Sequence, residues 1–171
     1  AEAALPQLKS VWVFDNKGRA LVNSLGLTLP NLDFSDRDYY SAHIASDAGT
    51  FIGQSLLPRP PYQGASFFGV SRRRVSADGS FTGVVQASVF PEYFNRFYAR
   101  IGHDAGSFFA LGLTDGSILA RYPQLDREVR LDPQGPVGRT LSAHPVGGLV
   151  TLVSPVATFR RRIGYRQVVG H

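Results

Sequence analysis

The sequence predicts an α+β protein of two tandem modules, each built around an antiparallel sheet. Three observations carry this. Strand-like runs come in pairs around Asp-Gly-type turns, the first pair returns downstream as a weak internal repeat, and only two stretches have the spacing of a packed helix. The chain has 171 residues, 43% of them hydrophobic and 18% charged, which is room for one ordinary domain or two small ones with an apolar core. Twelve Phe, seven Tyr and one Trp are too many for a chain that fails to collapse.

The elements follow in order. The first ten residues read as the tail of a longer helix, interrupted at Pro6. Val11-Trp12-Val13-Phe14 then runs through Asp15-Asn16-Lys17-Gly18 into Arg19-Ala20-Leu21-Val22, a hairpin whose turn supplies positive φ at its glycine. A helix is predicted over 36–46, with Ser35 and Asp36 as capping candidates. A second hairpin joins 66–75 to 81–90 through Ala77-Asp78-Gly79. Pro91 to Ile101 is a helix, with proline in its first turn and Tyr93, Phe94, Phe97 and Tyr98 on one stripe. Phe108 to Leu113, Thr114-Asp115-Gly116 and Ser117 to Ala120 repeat the first hairpin, and 148–154 pairs with 159–168 across Pro155. Residues 122–147, rich in Pro, Gly and Asp, are expected to be a long connection. The boundary between modules is expected within 102–106, giving modules of 1–103, including the helix stub and the linking helix, and 104–171.

Composition narrows the function classes. No cysteine is present, which excludes a disulfide framework and thiol chemistry. The net charge is +5 and the isoelectric point about 9.9, so nucleic acid is the first partner to weigh. Against it, the arginines are spread over the chain. The two dense runs, Arg72-Arg73-Arg74 and Arg160-Arg161-Arg162, lie in strands where neighbours alternate faces, so neither run makes one patch of three. No nucleic-acid partner is expected. No window approaches the ~18 to 20 apolar residues needed to cross a bilayer, and no signal peptide is visible. Any membrane anchor lies outside this sequence.

The ordered set of segments resembles a known family. Val13-Phe14-Asp15 with Gly18, then Asp33-Phe34-Ser35-Asp36-Arg37-Asp38-Tyr39-Tyr40, Phe51-Ile52-Gly53, Ser71-Arg72-Arg73 and Asp78-Gly79 leading to Gly83-Val84-Val85, is similar to the membrane-distal half of double Cache domains. Leu113 to Pro123 resembles the opening of their membrane-proximal half. These PAS-like domains are the extracytoplasmic sensors of bacterial histidine kinases, diguanylate cyclases and chemoreceptors. The resemblance implies a periplasmic domain of an inner-membrane receptor, anchored in the full-length protein, that binds a small solute in its distal module. It also implies homodimerisation of the intact receptor. The family usually opens with a long helix and ends with one more strand, so the proximal module is expected to be incomplete. The alternative class is a cytoplasmic PAS-type interaction module without a ligand.

Candidate ligand residues follow. Arg37, Tyr40 and His43 fall near one face of a helix start, with Tyr39 between them. A guanidinium beside phenol hydroxyls at a helix N-terminus suits a small carboxylate. On the residues alone, a solvated charged turn with core tyrosines is the favoured reading; the resemblance reverses this in favour of the ligand site, because this segment resembles the one lining the distal pocket. Ser71 and Arg72 occupy a strand that crosses the pocket floor in the family, and only one of them can face it. Phe68 and Gln86 are expected to complete the wall. Amino-acid-sensing members resemble one another in an Arg-x-Trp-Tyr segment and an aspartate on the last distal strand. Here Tyr39 replaces Trp and Ser88 stands at the aspartate, which implies a small carboxylate or other anion without an amino group.

Catalysis finds no support. No serine lies in a Gly-x-Ser-x-Gly elbow, and His43, His103, His144 and His171 show no metal-ligand spacing. The glycines fall in hairpin turns and make no phosphate-cradling loop. Neither enzyme activity nor a cofactor is expected of this chain.

Overall fold

A computed structural model describes residues 5–29, 31–102, 106–125, 130–153 and 160–168. The chain divides into two compact units, Ala1–Leu111 with Leu119–Gln124, and Gly112–Ile118 with Leu125–His171. Of the boundary expected at 102–106, residues 103–105 lie outside the described residues.

The first unit is organised by a five-stranded antiparallel sheet. Its strands are β1 (Leu8–Phe14), β2 (Ala20–Asn23), β3 (Phe51–Leu56), β4 (Phe67–Val75) and β5 (Phe81–Val89), in the order β2-β1-β5-β4-β3. Leu8 to Ser10, expected to be helical, are the start of β1: Ser10 pairs with Ser88 and Trp12 with Gln86. Partnership with the long β5 decides the conformation here, over any local helical preference. The turns are held as the sequence predicts. The Asp15 carboxylate accepts the backbone N–H groups of Lys17 and Arg19, and Asp78 accepts that of Ser80.

Strand alternation gives the sheet two faces. On one lie Ser10, Trp12 and Phe14 of β1, Val84, Gln86 and Ser88 of β5, and Gly69, Ser71 and Arg73 of β4. A buried cluster of Phe14, Phe34, Tyr39, Tyr40 and Val84 forms on it, with Trp12, Leu32, Leu56 and Phe81 packed around. Opposite lie Phe68, Val70 and Arg72 of β4 with Val85 and Ala87 of β5. Helix α2 (Pro91–Ile101) forms as predicted and sets Phe94 against Phe68, ring centres 6.1 Å apart.

The other predicted helix is much shorter. Only α1 (Asp38–Ser41) is α-helical, and the chain continues in tighter turns with His43 N–H on Tyr40 O and Ile44 N–H on Ser41 O. The Arg73 guanidinium, from β4, donates to the carbonyls of His43 and Ile44, so the turns that follow α1 are tied to the sheet.

In the rest of the chain, β6 (Phe109–Gly112) and β7 (Ile118–Tyr122) form one two-stranded sheet, and β8 (Gly147–Val153) with β9 (Arg160–Arg166) another. The turn between β6 and β7 repeats the chemistry of the first hairpin: Asp115 accepts Ser117 N–H at 2.8 Å. The expected long connection holds an unpredicted helix, α3 (Pro136–Ala143). Its Pro-Gly composition hid it. Pro136 serves at the helix start, where its missing N–H costs nothing. Gly138 sits where a Cβ would lie 2.4 Å from the carbonyl oxygens of Asp132 and Pro133.

Candidate functional site

The face of the first sheet beneath α1 carries a run of neutral polar side chains, all buried: Ser10, Ser71, Gln86 and Ser88, with buried His43 against them. Strand register places them. Trp12, Gln86 and Ser71 lie side by side across three strands, with Phe51 of β3 opposite Ser71, and the next row is Ser10, Ser88 and Gly69. They satisfy one another. His43 Nε2 and Ser71 Oγ share a hydrogen bond of 3.0 Å, the Gln86 amide donates to Ser88 Oγ at 3.1 Å, and Trp12 Nε1 donates to Ser10 Oγ at 3.0 Å.

From above, α1 supplies Tyr39, Tyr40 and, just past its end, His43. Tyr39 lies on Gly69, where any Cβ would come within 2.9 Å of its own, so the glycine on β4 makes the room for the tyrosine. Burial raises the Tyr39 phenol above its ordinary range despite the nearby Arg37 and Arg59 charges, which keeps it a neutral donor. Among the described residues its hydroxyl has no hydrogen-bond partner. Tyr40 differs: its hydroxyl donates to Asp15 O at 2.8 Å and its ring packs edge-on to Phe14 and Phe81. It braces the hairpin turn and offers nothing to a solute.

Arg37 is the extended N-cap of α1, half-buried, with no side-chain capping bond. Among the described residues its guanidinium has no hydrogen bond or salt bridge. The cation beside it, Arg59, is fully engaged with the Asp33 carbonyl, both Asp36 carboxylate oxygens and the Phe34 ring.

Two expected site residues are elsewhere. Phe68 is on the opposite face, against Phe94, because three residues along a strand from Ser71 reverses the side. Arg72 is exposed on that same opposite face. Three residues unforeseen in the sequence join the site: Ser10 and Trp12, hidden by the helical reading of the N-terminus, and Arg73, hidden within the arginine run. Tyr62 also reaches it, its ring edge-on to Trp12 at 5.7 Å and its hydroxyl on Thr28 O.

His43 is the titrating group of this cluster. Its Nδ1 is buried without a partner. A neutral ring donating from Nε2 leaves only a bare lone pair there, whereas an imidazolium would leave an unsatisfied N–H. Burial, then the Arg73 and Arg72 charges, hold its pKa below the usual histidine value, outweighing Asp47 and the Ser71 contact. The native state therefore binds fewer protons than the unfolded chain as pH falls through about 6.5, and stability decreases there. The contribution is complete above the unfolded value and is lost towards the lower folded one. Urea unfolding between about pH 7.5 and 5 should show this loss, and His43→Gln should flatten it; equal slopes in both proteins would contradict the assignment.

This architecture, a five-stranded antiparallel sheet with a short helix and loops over a polar face, defines a class, the extracytoplasmic sensor domains of membrane receptors. The chain belongs to the double Cache family of such domains. It is similar, at 31% identity and TM-score 0.82 over 96% of this chain and 67% of the other, to the extracellular domain assigned to histidine kinase rpHK1S-Z16. A second such domain, from histidine kinase mmHK1S-Z2, matches at 16% identity and TM-score 0.64 over 96% of this chain and 72% of its own. The ligand-binding domain of Pseudomonas fluorescens chemoreceptor CtaA, in complex with L-serine, matches at 15% identity and TM-score 0.58 over 89% of this chain and 64% of its own. The last two show the shared fold alone. No protein-family model matches the chain, nor does any curated protein. The family is extracytoplasmic, so the cytoplasmic alternative falls away. Among the described residues no helix is long and apolar enough to cross a membrane.

Proposed function

We propose that this chain is the sensing domain of a transmembrane receptor and binds a small organic anion without an amino group on the α1-covered face of its first sheet. One observation carries the reading: among the described residues, the buried polar groups of that face are hydroxyls, an amide and an imidazole, and none is a carboxylate. The nearest acid in sequence, Asp38, is committed to the backbone N–H groups of Tyr39 and Gln54. Ser88, where amino-acid-sensing members carry aspartate, is bonded to Gln86.

A carboxylate ligand would meet Arg37 as counter-charge, the Tyr39 hydroxyl as a neutral donor, and the Ser71 and His43 pair as a polar floor. An α-ammonium would meet no negative partner, at a cost of ~3 kcal/mol or more. CtaA, whose structure holds L-serine, shares the fold at too low an identity to transfer its ligand. Signalling follows from differential affinity. A ligand that favours one arrangement of the domain shifts an equilibrium that the rest of the receptor reads. Kinase, cyclase or chemotaxis output would belong to other domains.

Calorimetry with matched pairs tests the reading: a 2-hydroxy or 2-oxo acid against the amino acid of the same skeleton. The hydroxy or oxo acid should bind tighter by roughly 100-fold, and Arg37→Ala should weaken it by about 10-fold or more. Tighter binding of the amino acid, or unchanged affinity in the Arg37 variant, would sink it.

A further inference from the structure

The chain's whole net charge sits in its last quarter. Residues 1–132 hold thirteen Lys or Arg and thirteen Asp or Glu, while residues 133–171 hold five Arg and no acid at all. Register then sorts these arginines. Along β9 the exposed positions are Arg160, Arg162, Gly164 and Arg166, alternating with half-buried Arg161, Ile163 and Tyr165. The run that reads as two faces in sequence thus delivers two arginines to one side, and Arg166 adds a third.

Across the ladder, Arg160 pairs with Val153, Arg162 with Thr151, Gly164 with Leu149 and Arg166 with Gly147. Directly opposite residues share a face. Leu149 and Val153 are accordingly exposed, at 62% and 59%. The other side of the hairpin is the inner one, where the Tyr165 hydroxyl donates to His144 O at the end of α3. Among the described residues Arg160, Arg162 and Arg166 make no salt bridge.

From this we propose that the outer face of the β8–β9 hairpin docks on the anionic phospholipid surface of the membrane that bears the receptor. Alternate residues on a strand are ~6.6 Å apart, so Arg160 and Arg162 lie within one Debye length of each other, and Arg166 extends the same cationic row ~13 Å further along the face. Guanidinium forks match phosphate oxygens, and their aliphatic stems with Leu149 and Val153 suit the boundary between headgroup and acyl chain. Nucleic acid fits less well. Tyr165, the aromatic of β9, is turned inward, so no ring of that strand is free for base stacking.

The test is sedimentation of the chain with vesicles of phosphatidylcholine containing phosphatidylglycerol, beside vesicles of phosphatidylcholine alone. Binding should require the anionic lipid and weaken with added salt. Arg160→Gln, Arg162→Gln and Arg166→Gln should each weaken it about 5-fold, and on the order of 100-fold together. The matching triple lysine variant, a check against misfolding, should retain most of the binding, and Arg100→Gln on α2 all of it. Equal binding to neutral vesicles, no loss in the triple glutamine variant, or capture of DNA or an acidic peptide without vesicle binding would overturn the proposal. Because solute affinity is measured separately, failure here leaves the ligand reading standing.

Discussion

Replacing Phe14 by alanine should lower the stability of the first unit by about 3 to 5 kcal/mol. Phe14 ends β1, is 1% exposed, and is the hub of the aromatic cluster. Its ring stacks on Trp12 and Tyr39, meets Tyr40 edge-on and tilts against Phe34, with centre distances from 5.2 to 6.3 Å. Those partners come from β1 itself, α1 and the segment ahead of it, so relaxation into the cavity would need several elements to move at once. A unit of this size has a total stability of roughly 5 to 15 kcal/mol. The melting temperature should therefore fall by on the order of 15 °C or more. Val22→Ala, at an exposed position of β2, should change it little. A similarly small shift for Phe14→Ala in calorimetric melting would mean that the core lies elsewhere. Tyr39 and Tyr40 lean on this ring, so ligand affinity should fall with stability.

A second large effect is expected from one methyl group. Gly83, opposite Arg74 of β4, has φ near +128°, and a Cβ there would sit 2.0 Å from the Phe14 carbonyl oxygen and 2.8 Å from two backbone carbons. These are main-chain atoms of β1 and its turn, so the clash is relieved only by parting the two central strands of the sheet. Gly79 provides the control. Its φ is near +84°, yet a Cβ there would meet nothing within 4 Å. Gly79→Ala should cost about 1 kcal/mol of left-handed strain, whereas Gly83→Ala should cost about 3 kcal/mol or more, strain and separation together. Urea midpoints of the two variants measure the difference directly. Equal midpoints would show that positive φ, and not the approach of β1, governs Gly83.

Much of the architecture is legible because its signals are local. Asp15, Asp78 and Asp115 each accept backbone N–H groups two residues on, and Gly18, Gly79 and Gly116 each carry positive φ. Such turns are encoded within four or five residues, so the hairpins they close can be read in order. The α2 helix is likewise written in its own spacing, with proline at its start. The candidate site is legible in part for the same reason. His43, Ser71, Gln86 and Ser88 are polar residues set among strand and helix formers, and all four prove buried, three on one sheet face and His43 against it.

Contacts between distant residues decided the rest. The path of the chain after α1 is tied to Arg73, thirty residues downstream of His43, which donates to the His43 and Ile44 carbonyls. Phe68 and Arg72 left the site, and Ser10 and Trp12 entered it, because a side chain's face follows from the register of β1, β4 and β5. The same holds for the arginines of β9, whose common face exists only once β8 is paired beside it. Composition and turn chemistry are properties of neighbours in sequence. Register, and with it every choice of side, is fixed by hydrogen bonds and packing between strands tens of residues apart.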